Sequence, residues 1–113
     1  MAYDEDLTAR FRDKIDGLAG ISEKRMMGGI CFFLNGHMIG GADKAKTGER
    51  RFMFRVGKDN EQAAEALPGG EALIQGGRKM TGFYFVDADG LSDAIFTQWL
   101  SLAIENALSL PEK

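Results

Sequence analysis

Few side chains in this sequence could act as a nucleophile or a base, and this limits covalent catalysis from the start. The chain has one histidine, His37, and one cysteine, Cys31. A Cys–His pair requires the imidazole within hydrogen-bond reach of the thiol. We expect His37 to be exposed after the Asn35-Gly36 turn, several strand residues away from Cys31. One thiol and one imidazole cannot make a zinc cage, and a single cysteine cannot make an internal disulfide. The sequence therefore predicts no catalytic residues, no metal site and no cofactor.

Two short motifs match ligand-binding loops only in part. Asp87 and Asp89 are two residues apart and precede Gly90, a spacing that is typical of a turn leading into a helix. The same stretch begins like a calcium loop but lacks the later acidic ligands. Gly28 and Gly29 could cradle a phosphate, yet neither a G-x-G-x-x-G nor a Walker pattern surrounds them. We interpret both motifs as structural.

Basic side chains form two groups that could bind an anion together. The groups are Lys44, Lys46, Arg50, Arg51 and Arg55 in the first, and Arg78 with Lys79 in the second. If the strand that carries Arg51 neighbours the strand after Gly77, both groups could meet at one edge or face of a sheet. The candidate anion-binding or partner-binding residues are therefore Arg51, Arg55, Arg78 and Lys79. The alternative is a solvated loop beside an edge strand that its charges protect from aggregation.

Size and charge narrow the functional classes. At 113 residues, with 44% hydrophobic side chains, we expect residues 1–113 to form a single domain. The formal net charge of -3 gives no global positive field, so nucleic acid is not a favoured partner. No apolar run is long enough for a membrane span. The acidic start of the chain lacks the features of a secretory signal, and we expect a cytoplasmic protein.

Two amphipathic helices frame the predicted fold. Leu7, Phe11, Ile15 and Leu18 recur at helical spacing near the amino terminus. The second helix is predicted from about Ser92 to Ser109. Its apolar stripe comprises Leu91, Ile95, Trp99, Leu102 and Ala103. A short alanine-rich helix is predicted between them, over residues 59–67.

The strands predicted between these helices indicate an α+β fold. Asn35-Gly36 separates two apolar runs, which is a strong hairpin signal. A third strand covers residues 51–56, and residues 80–86 contain a later one. The predicted order is α-β-β-β-α-β-β-α. It favours a two-layer α/β domain with an antiparallel sheet and helices on one side.

A sheet with helices on one side leaves its other face open. We predict that Met26, Phe33, Met53 and Tyr84, together with Cys31, lie on this open face. An exposed apolar face favours contact with a protein partner or with a second copy of the chain. The sequence therefore predicts an interface here, with a homodimer as one form of it.

Four segments resemble the TfoX N-terminal domain family. Met26-Met27-Gly28-Gly29, followed by an apolar strand, a turn and a second strand, resembles the family's Met-Phe-Gly-Gly segment. Residues 52–56 resemble its Leu-Tyr-Leu-Arg-Val strand, and residues 80–84 resemble its Met-x-x-Tyr-Tyr strand. Trp99 matches a tryptophan of its closing helix. The resemblance covers nearly the whole chain.

This resemblance implies a two-layer domain with an antiparallel sheet, similar to the fold of secretion chaperones. The family's namesake regulates competence and DNA-uptake genes in bacteria, and the family supplies no established catalytic residues. The leading hypothesis is therefore a non-enzymatic regulatory domain that binds a protein partner and acts in competence or transcription regulation. The alternative is a module that binds a small anionic ligand or nucleic acid through the basic loops.

Overall fold

The computed structural model describes residues 4–26, 29–44 and 48–111, which form one antiparallel sheet covered by helices on one face. The elements are helix α1 (Glu5–Lys14), strands β1 (Ile21–Met26), β2 (Gly29–Leu34), β3 (His37–Lys44) and β4 (Arg50–Arg55), a 3-10 turn (Lys58–Asn60), helix α2 (Glu61–Glu65), strands β5 (Gly70–Gln75) and β6 (Arg78–Asp87), and helix α3 (Asp93–Ser109). The strand order across the sheet is β1-β2-β3-β4-β6-β5, and all the pairs are antiparallel. The predicted α+β class is confirmed.

Both long helices begin at a side-chain cap. The Asp4 carboxylate accepts a hydrogen bond from the Leu7 amide at 3.0 Å, and the Ser92 hydroxyl accepts one from the Ile95 amide at 3.2 Å. Such caps satisfy amides that have no partner within the first turn. The predicted helices are confirmed, except that α1 ends at Lys14 and leaves Leu18 41% exposed beyond it.

The first strand is an addition to the predicted order. The predicted order has five strands and begins its sheet with the strand that leads into the Asn35-Gly36 turn, whereas the structure has β1 paired with this strand as a separate, earlier one. Its central residues, Ser22 to Arg25, are all exposed. A polar edge strand of this kind carries no alternation of apolar and polar residues, so the sequence pattern did not reveal it.

Aromatic rings fill the space between the sheet and the helices. Phe11 of α1 stacks on Phe32 with ring centroids 4.7 Å apart, and Phe96 of α3 meets Phe52 edge-on at 4.8 Å. Trp99 packs directly on Gly70, where an added Cβ would lie 2.3 Å from the indole ring. These contacts fix both long helices on the same face of the sheet. The alternation of β4 explains this choice of face, because Phe52 and Phe54 both point to it.

Tyr84 also lies on the helix-covered face, so its predicted place on the open face is wrong. It pairs in register with Phe54, and its ring lies 5.5 Å from that of Trp99. Residues directly opposite each other in antiparallel strands point to the same side. Because Phe54 faces the helices, Tyr84 does so as well. Its hydroxyl donates a hydrogen bond to the Glu65 carboxylate at 3.2 Å.

His37 is likewise buried, contrary to the predicted exposed position. Only 7% of it is accessible, because the segment after α3 folds over it. Its Nε2 donates a hydrogen bond to the carbonyl of Pro111. The preceding turn is as predicted: Asn35 and Gly36 have φ angles of 53° and 85°, as a type I′ hairpin requires.

Candidate functional site

The open face of the sheet carries a second apolar cluster, which no helix covers in the part of the chain that the structure describes. Its buried members are Cys31, Met53 and Leu73. Six side chains that are partly buried pack around them: Met26, Phe33, Met38, Met80, Phe83 and Phe85. Met26, Phe33 and Met53 thus lie on the predicted face. Their role as an interface stays a prediction.

This face is concave and lines a cavity of about 400 Å³ that is open to solvent. Every strand of the sheet contributes to its lining, among others through Met26, Cys31, Asp43, Met53, Phe85 and Leu73. In a flat six-stranded sheet, β1 and β5 would lie about 24 Å apart, at ~4.8 Å for each pair of neighbours. Because both outer strands line one small cavity, the sheet must curl strongly around its open face.

A charged pair stands at one side of the cavity. The Arg51 guanidinium donates two hydrogen bonds to the Asp43 carboxylate, each 3.0 Å long. The same guanidinium lies 3.7 Å above the centre of the Phe85 ring. The two charged side chains are only 26% and 20% exposed. The carboxylate therefore largely neutralises the charge of Arg51, and the ring fixes its position.

The other candidate basic residues lie apart from Arg51. Strands β4 and β6 are neighbours, as the anion hypothesis requires, but Arg55 pairs in register with Phe83. Arg78 and Lys79 are therefore beyond the end of β4, where they pair with β5. Lys79 is an ion-pair partner of Glu61 at 3.7 Å.

Arg50 of the first group pairs with carboxylates as well. Arg50 binds the carboxylate of Asp4 at 2.9 Å and approaches that of Asp89 at 3.5 Å. Lys46 lies outside the described residues, as does Gly28 of the glycine pair. The structure thus does not bring Arg51, Arg55, Arg78 and Lys79 into one site.

Comparison with known proteins identifies the family. The model of the TfoX N-terminal domain family matches residues 13–107. The chain belongs to this family. The match indicates a regulatory domain related to competence. No curated protein and no solved structure matches the chain.

The sheet separates the cysteine and the histidine of this TfoX N-terminal domain. Cys31 belongs to the open-face cluster, whereas His37 pairs in register with Leu34, which faces the helices. Burial and the nearby charge of Asp43 raise the pKa of the Cys31 thiol to about 11. At neutral pH this thiol is therefore protonated, and it acts as a small apolar side chain.

Two further findings concern the described part of the TfoX N-terminal domain. Among these residues, no group of three or more His, Cys, Asp or Glu side chains is placed to hold a metal ion. None of the helices found there is both long and apolar enough to cross a membrane.

The cavity also includes residues that the sequence analysis did not select. Asp43, Leu73 and Phe85 line it, and Gly41 forms part of its floor. One sequence pattern pointed to this surface. Phe83 and Phe85 are two residues apart in β6 and therefore lie on the same face, which predicts that this face is apolar. The pairing of Asp43 with Arg51 depends on the register of β3 against β4, which no local pattern encodes.

Proposed function

We propose that this TfoX N-terminal domain is a non-enzymatic regulatory domain that acts by binding a protein partner. We further propose that the partner adds an extended segment to the β5 edge of the sheet. The regulated process would be competence or transcription, as membership of the family suggests. The observation that carries the proposal is the contrast between the two edges of the sheet.

The β1 edge has the features that oppose strand addition. Glu23, Lys24 and Arg25 are consecutive, charged and exposed along it. Glu23 also accepts two hydrogen bonds from the Arg12 guanidinium, at 2.9 and 2.6 Å, which hold its side chain toward α1. Charged edge strands discourage pairing with another chain.

The β5 edge has the opposite character. Its sequence is GEALIQ, in which Glu71 is the one charged residue. Ile74, a large apolar side chain of this strand, is 60% exposed. The strand pairs with β6 on one side, so its other side presents backbone N–H and C=O groups for pairing. This edge therefore suits an extended, uncharged segment.

Strand addition would also extend the open face. Leu73 already belongs to the cluster on that face, next to the half-buried Phe83. Alternate side chains of an added strand would continue the same surface, and apolar residues at those positions would pack on it. In this recognition mode main-chain hydrogen bonds supply affinity and alternate side chains supply specificity. The expected partner therefore presents a segment with apolar residues at every second position.

The alternative, an anionic ligand or nucleic acid on the basic loops, has less support. Arg51 and Lys79 are ion-pair partners of Asp43 and Glu61, so binding an anion would compete with carboxylates. The net charge of -3 would also weaken the approach of a polyanion.

Site-specific photocrosslinking tests the proposal. A benzophenone amino acid is placed at position 74 in β5, or at position 24 in β1 as a control, in cells that natively produce the protein. We expect an adduct with another protein from position 74 and not from position 24. The adduct is identified by mass spectrometry, and the identified protein is purified and titrated against the domain.

The titration then separates the two edges. Ile74→Lys should raise the Kd for this protein at least about tenfold, which corresponds to about 1.4 kcal/mol. Lys24→Glu should leave the Kd within about twofold, since a rim charge away from the contact contributes little. Equal crosslinking from both edges, an adduct with a second copy of the chain, or an unchanged Kd for Ile74→Lys would each contradict the proposal.

A further inference from the structure

The cavity on the open face has a cause in the sequence. Gly29 and Gly41 lie on its floor, where they contribute no side chain. Cys31 pairs in register with Gly41, and Met26 pairs with Gly29. Larger side chains therefore stand on either side of a bare strip of backbone. Because no side chain fills the space above this strip, the strip forms the floor of the hollow.

Close packing of β2 against β3 keeps this hollow open. A Cβ at Gly41 would lie 2.5 Å from the carbonyl oxygen of Ile30, and one at Gly29 would lie 2.3 Å from that of Ala42. Neither distance is compatible with a side chain at these positions. A volume of about 400 Å³ is in the usual range for small-molecule pockets, which are mostly apolar with a few fixed polar groups.

The lining indicates the charge of a ligand. Asp43 and Arg51 together carry no net charge, and Arg51 lies between Asp43 and Asp87 in the register of the sheet. An anion that approached the guanidinium would meet two carboxylates. A cation that approached Asp43 would meet the guanidinium. A neutral group meets neither penalty.

The same pair indicates the polar chemistry of the ligand. Arg51 uses its Nε and one Nη2 hydrogen for Asp43, which leaves its other N–H groups as donors. The Asp43 carboxylate keeps lone pairs that can accept. A group that both accepts and donates, such as an amide or a hydroxyl, satisfies the two residues at once.

We propose that the open-face cavity is a binding site for a small neutral amphipathic molecule. Its apolar body lies against Met26, Met53, Leu73 and Phe85, and its hydrogen-bonding end contacts Asp43 and Arg51. The cavity adjoins the β5 edge, because Leu73 and Ile74 of β5 line it. Its test uses dyes and the purified domain without a protein partner, so either proposal can fail without the other.

Two dyes that differ by one charged group test the site. N-phenylnaphthylamine is neutral, and anilinonaphthalenesulfonate has the same aromatic framework with an added sulfonate. Fluorescence titration of the wild-type domain should give saturable binding of the neutral dye at one site. The sulfonate dye should bind at least about tenfold more weakly, because it meets Asp43 and Asp87.

A matched pair of variants locates the binding. Met26 and Met38 are both half-buried methionines of the open-face cluster, but Met26 lines the cavity and Met38 does not. Met26→Trp should fill the hollow and weaken binding of the neutral dye at least about tenfold, whereas Met38→Trp should change it less than about twofold. Circular dichroism confirms that each variant is folded.

A charge variant decides the question if Met26→Trp does not fold. Asp43→Asn removes the carboxylate that neutralises Arg51, so the affinity for the sulfonate dye relative to that for the neutral dye should rise at least about fivefold. Three results would each overturn the proposal. They are no saturable binding of the neutral dye to the wild type, equal affinity for the two dyes, and equal weakening by Met26→Trp and Met38→Trp.

Discussion

The two faces of the sheet are built from different side chains. On the helix-covered face the largest buried residues are aromatic, and Phe11, Phe32, Phe52, Phe54, Phe96 and Trp99 are all fully inaccessible. On the open face, sulfur-containing residues are the most numerous: all four methionines of the described chain belong to its cluster, and Cys31 is one of its buried members. Rigid rings in close contact specify one arrangement, whereas methionines adapt to several. The fold is thus determined on one face, and the other is left adaptable.

The largest expected difference between the faces is in stability. Phe11→Ala should lower the free energy of unfolding by about 4 kcal/mol, because it leaves a cavity among packed rings. Met53→Ala on the open face should cost about 2 kcal/mol, at the low end for a buried methionine, since water can reach the space it leaves. Urea unfolding at neutral pH measures both. Equal losses would show that the two faces are packed equally tightly.

The pH dependence of stability should distinguish the faces next. Burial and Asp43 raise the pKa of Cys31 to about 11, and burial and the Glu65 hydrogen bond raise the pKa of Tyr84 to about 12. The unfolded values are about 8.5 and 10. Between its unfolded and folded pKa values, each group is deprotonated in the unfolded chain but still protonated in the folded one. The free energy of unfolding therefore falls as the pH rises through this range. Each group should contribute a loss on the order of 3 kcal/mol, from about pH 8.5 to 11 for the thiol and from about pH 10 to 12 for the phenol.

Two variants separate these contributions. Cys31→Ala should remove the loss that begins near pH 8.5, and Tyr84→Phe should remove the one that begins near pH 10. The measurement is the free energy of unfolding in urea at pH values from 7 to 12. If Cys31→Ala kept the full loss below pH 10, the thiol would not be the group that titrates there.

The smallest expected effect concerns the ion pair of the open face. A double-mutant cycle with Asp43→Asn and Arg51→Met should give a coupling free energy of about 1 kcal/mol, since both charges are partly buried. The pair Arg12–Glu23 has similar geometry, but its side chains are 49% and 40% exposed. Its coupling should be weaker. A stronger coupling for the exposed pair would contradict the importance given to the cavity pair.

Local sequence patterns predicted most of the elements. Helical spacing revealed α1 and α3, the Asn35-Gly36 turn revealed the β2–β3 hairpin, and alternation revealed β4. Strand β1 was missed because its exposed residues are polar on both faces. Patterns of this kind report burial, so an element with little buried surface leaves almost no signal.

The errors at the candidate site have a different origin, which is strand register. Strand β6 is apolar on both faces, with Phe83 and Phe85 on one and Tyr84 on the other, so its alternation does not say which face meets the helices. The pairing of Tyr84 with Phe54 decides this, and it is a long-range contact. The register of β6 likewise places Arg78 and Lys79 beyond Arg55. The burial of His37 under Pro111 is a third contact of this kind.

The order of strands has a consequence for how the chain folds during synthesis. Strands β1 to β4 form a meander of sequence neighbours, and β5 with β6 forms a second hairpin that joins it through the β4–β6 pair alone. Trp99 of α3 contacts Phe54 in the first unit and Tyr84 in the second. Both units precede α3 in the chain, so a ribosome completes them first. Until α3 has emerged, the phenylalanine rings that it covers stay in contact with water. The incomplete domain therefore exposes an apolar surface of the kind that chaperones bind.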